Sequence, residues 1–90
     1  MTSYSPLVPE EILEKNVKSL DLIVKSYPML KGMDITTVKD LLEADPRRFK
    51  YSVFEPFELE QIEKELEKLT PGLYIGMMYE AKKMAFLLTL

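Results

Sequence analysis

The sequence predicts an all-α domain, a compact bundle of short helices. Three observations carry this. Apolar residues recur at helical spacing in successive short windows, prolines stand where helices begin at Pro9, Pro46 and Pro56, and the strand signal is weak throughout. The 90 residues make one domain with one modest core, and a hydrophobic share of 47% is ample for folding.

The elements follow in order. Residues 1–8 read as a flexible leader. Pro9 opens a first helix to about Asn16, with Glu10 and Glu11 at the positive end of its dipole and Ile12 and Leu13 at helical spacing. A rival parse runs one helix from Pro9 to about Lys25, because Leu13, Val17, Leu20 and Val24 would give it a continuous stripe. The broken version is preferred. Ser26 then caps a short helix, Tyr27 to Lys31, which tolerates Pro28 in its first turn and stops at Gly32. Thr36 or Asp34 caps a third helix, with Val38, Leu41 and Leu42 facing inward. Asp45 caps a one-turn helix opened by Pro46 and continued by Arg47, Arg48 and Phe49.

"YSVFE" is a connector. Pro56 to Leu69 is the strongest helix, with Leu59, Ile62, Leu66 and Leu69 on one stripe and Glu60 one turn before Lys64. "TPG" ends it. A last helix starts near Met77, with Met77, Ala81, Met84, Ala85 and Leu88 on one side. The chain therefore divides into the leader 1–8, a helical domain 9–76 and a C-terminal helical extension 77–90.

Composition excludes much chemistry. The chain has no cysteine, so it has no disulfide, thiolate metal site or cysteine nucleophile. It has no histidine, which removes the commonest general base and transition-metal ligand. No Gly-rich phosphate loop or nucleophile motif appears. The sequence therefore predicts no enzyme, no cofactor and no metal. The net charge of −3 and a pI near 5.0 disfavour a dedicated nucleic-acid binder, whose affinity rests on neutralising phosphates. No signal peptide is visible, and "MAFLLTL" is far too short to span a membrane, so a cytoplasmic protein is expected.

From Val17 to Met77 the order of motifs is more specific than any one of them: "LDLIVKSYPMLKGMDITTVKDLL", then "ELEQIEKELEKL", then "GLYIGM". This span resembles the C-terminal domain of the bacterial RNA polymerase α subunit. The resemblance implies a compact helical fold of helix-hairpin-helix (SAM-like) character and a non-catalytic role. It implies docking on the minor groove of A·T-rich DNA and on transcription activators. By the same resemblance, the DNA surface uses an Arg and an Asn of one helix and a Gly-Lys/Arg-Lys/Arg-Ser segment before the last helix. In this sequence the Arg falls on Lys25, which keeps the charge and loses the planar fork. The Asn falls on Pro28, the Gly on Glu55, the two basic residues on Pro56 and Phe57, and the Ser on Glu58. Two carboxylates would thus face phosphate in place of two ammonium groups.

The remaining features divide between sharp and plain readings. "PRRFK" is the one dense basic cluster; Arg47, Arg48 and Lys50 read as an acidic-partner or phosphate contact, or as a solvated helix face. Phe54 overlays a core leucine of the resembled domain, whereas Phe57 replaces an exposed basic residue and is the better surface candidate. Glu58, Glu60, Glu63, Glu65 and Glu67 form either a nucleic-acid mimic or the wet face of an amphipathic helix. The extension carries Phe86, Leu87, Leu88 and Leu90 all round a helix, which favours a homodimer or partner interface.

The sequence reading is a protein-interaction module of the transcription machinery, with RNA polymerase, a sigma factor or a transcription regulator as partner. Its contacts would be Glu55, Phe57, Glu58 and Phe86. One alternative is a minor-groove DNA binder with a relocated basic surface at Lys25, Lys31, Arg47, Arg48 and Lys50. Another is a small oligomerising scaffold.

Overall fold

The computed structural model describes residues 8–50 and 52–88, with residues 85–88 described in backbone only. Six α-helices follow in order: α1 Glu10–Leu13, α2 Ser26–Gly32, α3 Val38–Glu43, α4 Pro46–Lys50, α5 Pro56–Leu69 and α6 Met77–Leu88. A 3-10 turn at Val17–Ser19 separates the first two. Among the described residues the extended pairing is a single antiparallel bridge, Asn16 with Thr37. The all-α expectation holds.

α1 is shorter than the expected Pro9–Asn16 span because the chain after it is claimed from outside. The Lys15 carbonyl accepts from Val38 N–H at 2.8 Å, and Val17 N–H donates to the Thr36 carbonyl at 2.8 Å. Those groups would otherwise bond within a continuing helix. The single long helix to Lys25 is excluded for the same reason. Leu20 is extended, and the Tyr27 hydroxyl donates to its carbonyl at 2.6 Å while accepting from Leu22 N–H at 3.0 Å. Val24, placed in the apolar stripe by the long-helix parse, is 80% exposed.

α2 includes Gly32, expected as its stop. The reversal falls instead on Asp34, at φ 61°. Ile35 N–H bonds the Leu30 carbonyl at 2.9 Å and Asp34 N–H bonds the Lys31 carbonyl at 3.0 Å, the paired bonds of a Schellman ending. Buried Ile35 then seats the chain in the core. α3 is capped by Thr37 rather than by Thr36 or Asp34. Asp40 N–H donates to Thr37 Oγ1, and Thr37 N–H donates back to Asp40 Oδ2 at 3.0 Å. α4 begins as expected, with Arg47 N–H on Asp45 Oδ1 at 3.0 Å.

The core centres on Leu30, Val38, Leu41, Leu42, Ile62 and Leu66, all fully buried. Each contributes about 1.5–3 kcal/mol by leaving water. Phe49 and Phe54 meet with centroids 5.7 Å apart, so Phe54 is a core residue as expected. Val8, within the expected leader, is buried; the leader's other residues lie outside the described ones. α6 packs on α3 through Met78, which is buried, while Ala81 and Met84 of the expected stripe are exposed. The first turn of the extension thus belongs to the core.

Candidate interaction surface

The N-terminus of α5 gathers the residues singled out by sequence. Pro56 supplies the first helical position, and its fixed φ starts the helix. Helical geometry then sends consecutive side chains to different sides. Phe57 is 55% exposed, whereas Glu58 is fully buried. Glu55 is exposed. Across from them, Lys25 brings its ammonium to 3.4 Å from Glu58 Oε2 and 5.8 Å from the Phe57 ring centroid. Lys25, Glu55, Phe57 and Glu58 therefore do come together.

The placement of Glu58 corrects the sequence reading. The sequence reading places it on the surface, and the structure buries it fully. Its Oε1 accepts from the backbone N–H of Glu55 at 2.7 Å, closing the first turn of α5. An exposed end would leave such donors for an anion; here the protein's own carboxylate occupies that place.

The acidic stripe of α5 is largely committed in the same way. Glu65 Oε1 accepts from Asp21 N–H at 3.1 Å, and Gln61 Nε2 donates to the Asp21 carbonyl at 2.9 Å. Glu58, Gln61 and Glu65 thus form a polar seam that holds the non-helical segment 20–25 on α5. Glu63 accepts from Ile75 N–H and Glu67 from Gly72 N–H, tying down the loop before α6. The hydrogen bond from Lys68, at 2.8 Å, lowers the Glu65 pKa below its ordinary value. These glutamates serve backbone donors, which weakens the nucleic-acid-mimic reading.

The basic residues lie on different elements. Lys25 sits with α5, while Arg47, Arg48 and Lys50 lie on α4. Arg47 grips Asp45 through Nε at 3.1 Å and Nη2 at 2.7 Å, and Nη2 also reaches the Tyr79 hydroxyl at 3.4 Å. The Arg47 hydrogen bonds hold the Asp45 carboxyl down at about 2. Arg48 donates to the Met33 carbonyl at 2.9 Å. A groove of about 460 Å³ between α4 and α5 is lined by Lys50, Pro56, Leu59 and Glu60 among others. The side chain of Phe86 lies outside the described residues.

Sequence reasoning missed a further contributor. Val24, 80% exposed, is next in the chain to Lys25. Helical periodicity could not reveal it, because residues 24–25 form a turn leading into α2. Among the described residues no group of three or more Asp and Glu side chains could hold a metal ion, and no helix is long and apolar enough to cross a membrane.

No family model matches this chain, and no solved structure does. The DNA-directed RNA polymerase subunit alpha of Alkaliphilus metalliredigens is 38% identical to it over 65 residues. That match covers 71% of this chain and 21% of the relative, so the chain spans about a fifth of the relative's length. This chain is related to the RNA polymerase alpha subunit.

Proposed function

We propose that this chain is a non-enzymatic, cytoplasmic interaction module of transcription, an alpha C-terminal-like scaffold turned from DNA to protein. One observation carries the reading. At the end of α5, where the resemblance places phosphate contacts, a backbone donor is taken by Glu58 and the nearest cation is paired to the same carboxylate. Open to solvent there are the apolar Phe57 and Val24 together with the charged Glu55 and Lys25. Exposed aromatic side chains of this kind anchor protein interfaces. The partner is RNA polymerase, a sigma factor or a transcription regulator.

The test is capture of purified bacterial RNA polymerase, with and without sigma factor, or of a purified regulator, on the immobilised chain. Phe57→Ala should lower capture at least about tenfold, the usual effect of losing an interface anchor, with an unchanged melting temperature. Capture that is indifferent to Phe57 would remove this surface from the reading.

A second reading, self-association through α6, is favoured by one feature. Residues Ala81 to Met84, a complete helical turn, are all exposed. The sequence beyond it is apolar. Sedimentation equilibrium should then give a mass above 10.5 kDa that rises with concentration. Phe86→Glu should restore the monomer.

A further inference from the structure

We propose that the N-terminal end of α5 is a receptor for an arginine side chain of a partner protein, and that Lys25 occupies its place in the free chain. This rests on the interaction-module reading and names the chemistry of the partner. Glu58 is fully buried and uses only one of its two oxygens in hydrogen bonding. Oε2 is shut off from water and accepts no hydrogen bond. The Ser26 hydroxyl, next in the chain to Lys25, is likewise buried and unpartnered. A buried carboxylate oxygen with vacant lone pairs is costly unless a donor completes it.

The Lys25 ammonium stands nearest, yet at 3.4 Å it balances charge without making a hydrogen bond. It reaches the site from the solvent side, with 60% of its side chain exposed. The same ammonium lies over the Phe57 ring, whose face is open to solvent. A carboxylate oxygen lacking a donor beside an open aromatic face suits a guanidinium. Its N–H fork donates in plane, and its flat surface stacks on the ring. An ammonium is a hydrated point charge and meets those demands less well. Glu55 adds a second carboxylate at the rim, and exposed Val24, next to Lys25, offers apolar support to the residues flanking the arginine.

The experiment uses the full chain and three short peptides of one Gly/Ser background, carrying arginine, lysine or citrulline. Titration calorimetry at about 0.15 M salt gives Kd, and amide NMR shifts report whether Glu55 to Glu58 respond. The arginine peptide should bind about fivefold more tightly than the lysine peptide, and the neutral citrulline peptide weakest. Lys25→Met should tighten arginine binding about threefold, whereas Phe57→Leu should weaken it about threefold. Lys64→Met, the same charge change elsewhere on α5, is the control and should leave Kd unchanged. Phe57 and Lys64 are exposed and hold no buried charge, so their variants should melt close to the parent, whereas Lys25→Met strips buried Glu58 of its cation and should melt lower, with the arginine peptide restoring part of the loss.

Equal binding of the arginine and lysine peptides would overturn the inference. So would equal tightening by Lys25→Met and Lys64→Met. Capture of RNA polymerase without the arginine preference would leave the interaction module standing and remove the arginine receptor. The arginine preference without any captured transcription protein would do the reverse.

Discussion

Glu58 and Phe57 are neighbours in sequence with opposite fates. Helix geometry turns successive side chains by about 100°, so one faces the seam under segment 20–25 and the other faces water. A carboxylate that the residue type assigns to the surface is thereby spent on a backbone donor. Asp45 is a second case in which local bonding overrides the free side chain. Its pKa falls from 3.8 to about 2 under the Arg47 hydrogen bonds. A group whose folded pKa is depressed lends stability above its ordinary pKa and loses it as pH falls through the folded value. Thermal melts of the parent and of Asp45→Asn should therefore differ above about pH 4 and converge on acidification toward about pH 2. A difference that persists unchanged into acid would point to packing, not to the ion pair. Gly76 is the third residue of this kind. It sits at φ +82° with Pro46 packed against the place a Cβ would occupy, and its N–H bonds the Leu41 carbonyl at 3.1 Å. Gly76→Ala should cost about 3 kcal/mol, read from urea unfolding.

At the scale of elements, local signals and long-range bonds divide the work. α4 and α5 start at prolines and need nothing else to begin, so their bounds are legible in the sequence. α3 obeys the reciprocal capping rule through Thr37 and Asp40, a pattern present in "TVKD" that the choice of Thr36 overlooked. α1 and the 20–25 segment follow no local rule. Their path is set by Thr36, Val38, Gln61 and Glu65, distant along the chain. The seam on α5 should accordingly behave as one unit. Glu65→Ala removes the acceptor for Asp21 N–H and the partner of Lys68, and should destabilise the fold by about 2 kcal/mol. Hydrogen exchange should accelerate at Asp21 first. Exchange that speeds up evenly over α5 instead would show that the segment is held by its apolar contacts.

At the scale of the whole molecule, charge and shape act together. The net charge is −3, Arg47 is paired, and Lys25 is paired on another element. An acidic net charge and paired cations leave little positive charge to release counterions from a duplex. A labelled A·T-rich duplex should therefore show no anisotropy change at low salt up to tens of micromolar protein, roughly the range of non-specific binding. Micromolar binding that collapses with salt and with the Arg47→Ala/Arg48→Ala pair would mean that α4 has kept a DNA surface.

The sequence by itself determined the helical class, the starts of α4 and α5, the full length of α5, and the opposite placement of Phe54 and Phe57. These depend on spacing, on proline and on side-chain polarity, which are local properties. Only the tertiary structure decided that α1 ends early, that Asp34 and not Gly32 reverses the chain, that Val24 is exposed and that Glu58 is buried. The early end of α1 depends on partners at Thr36 and Val38, and the charge balance of buried Glu58 on Lys25, and no short window of sequence contains both ends of such a contact. The reversal at Asp34 closes by short bonds to Leu30 and Lys31, but the burial of Ile35 that accompanies it is a matter of the whole core.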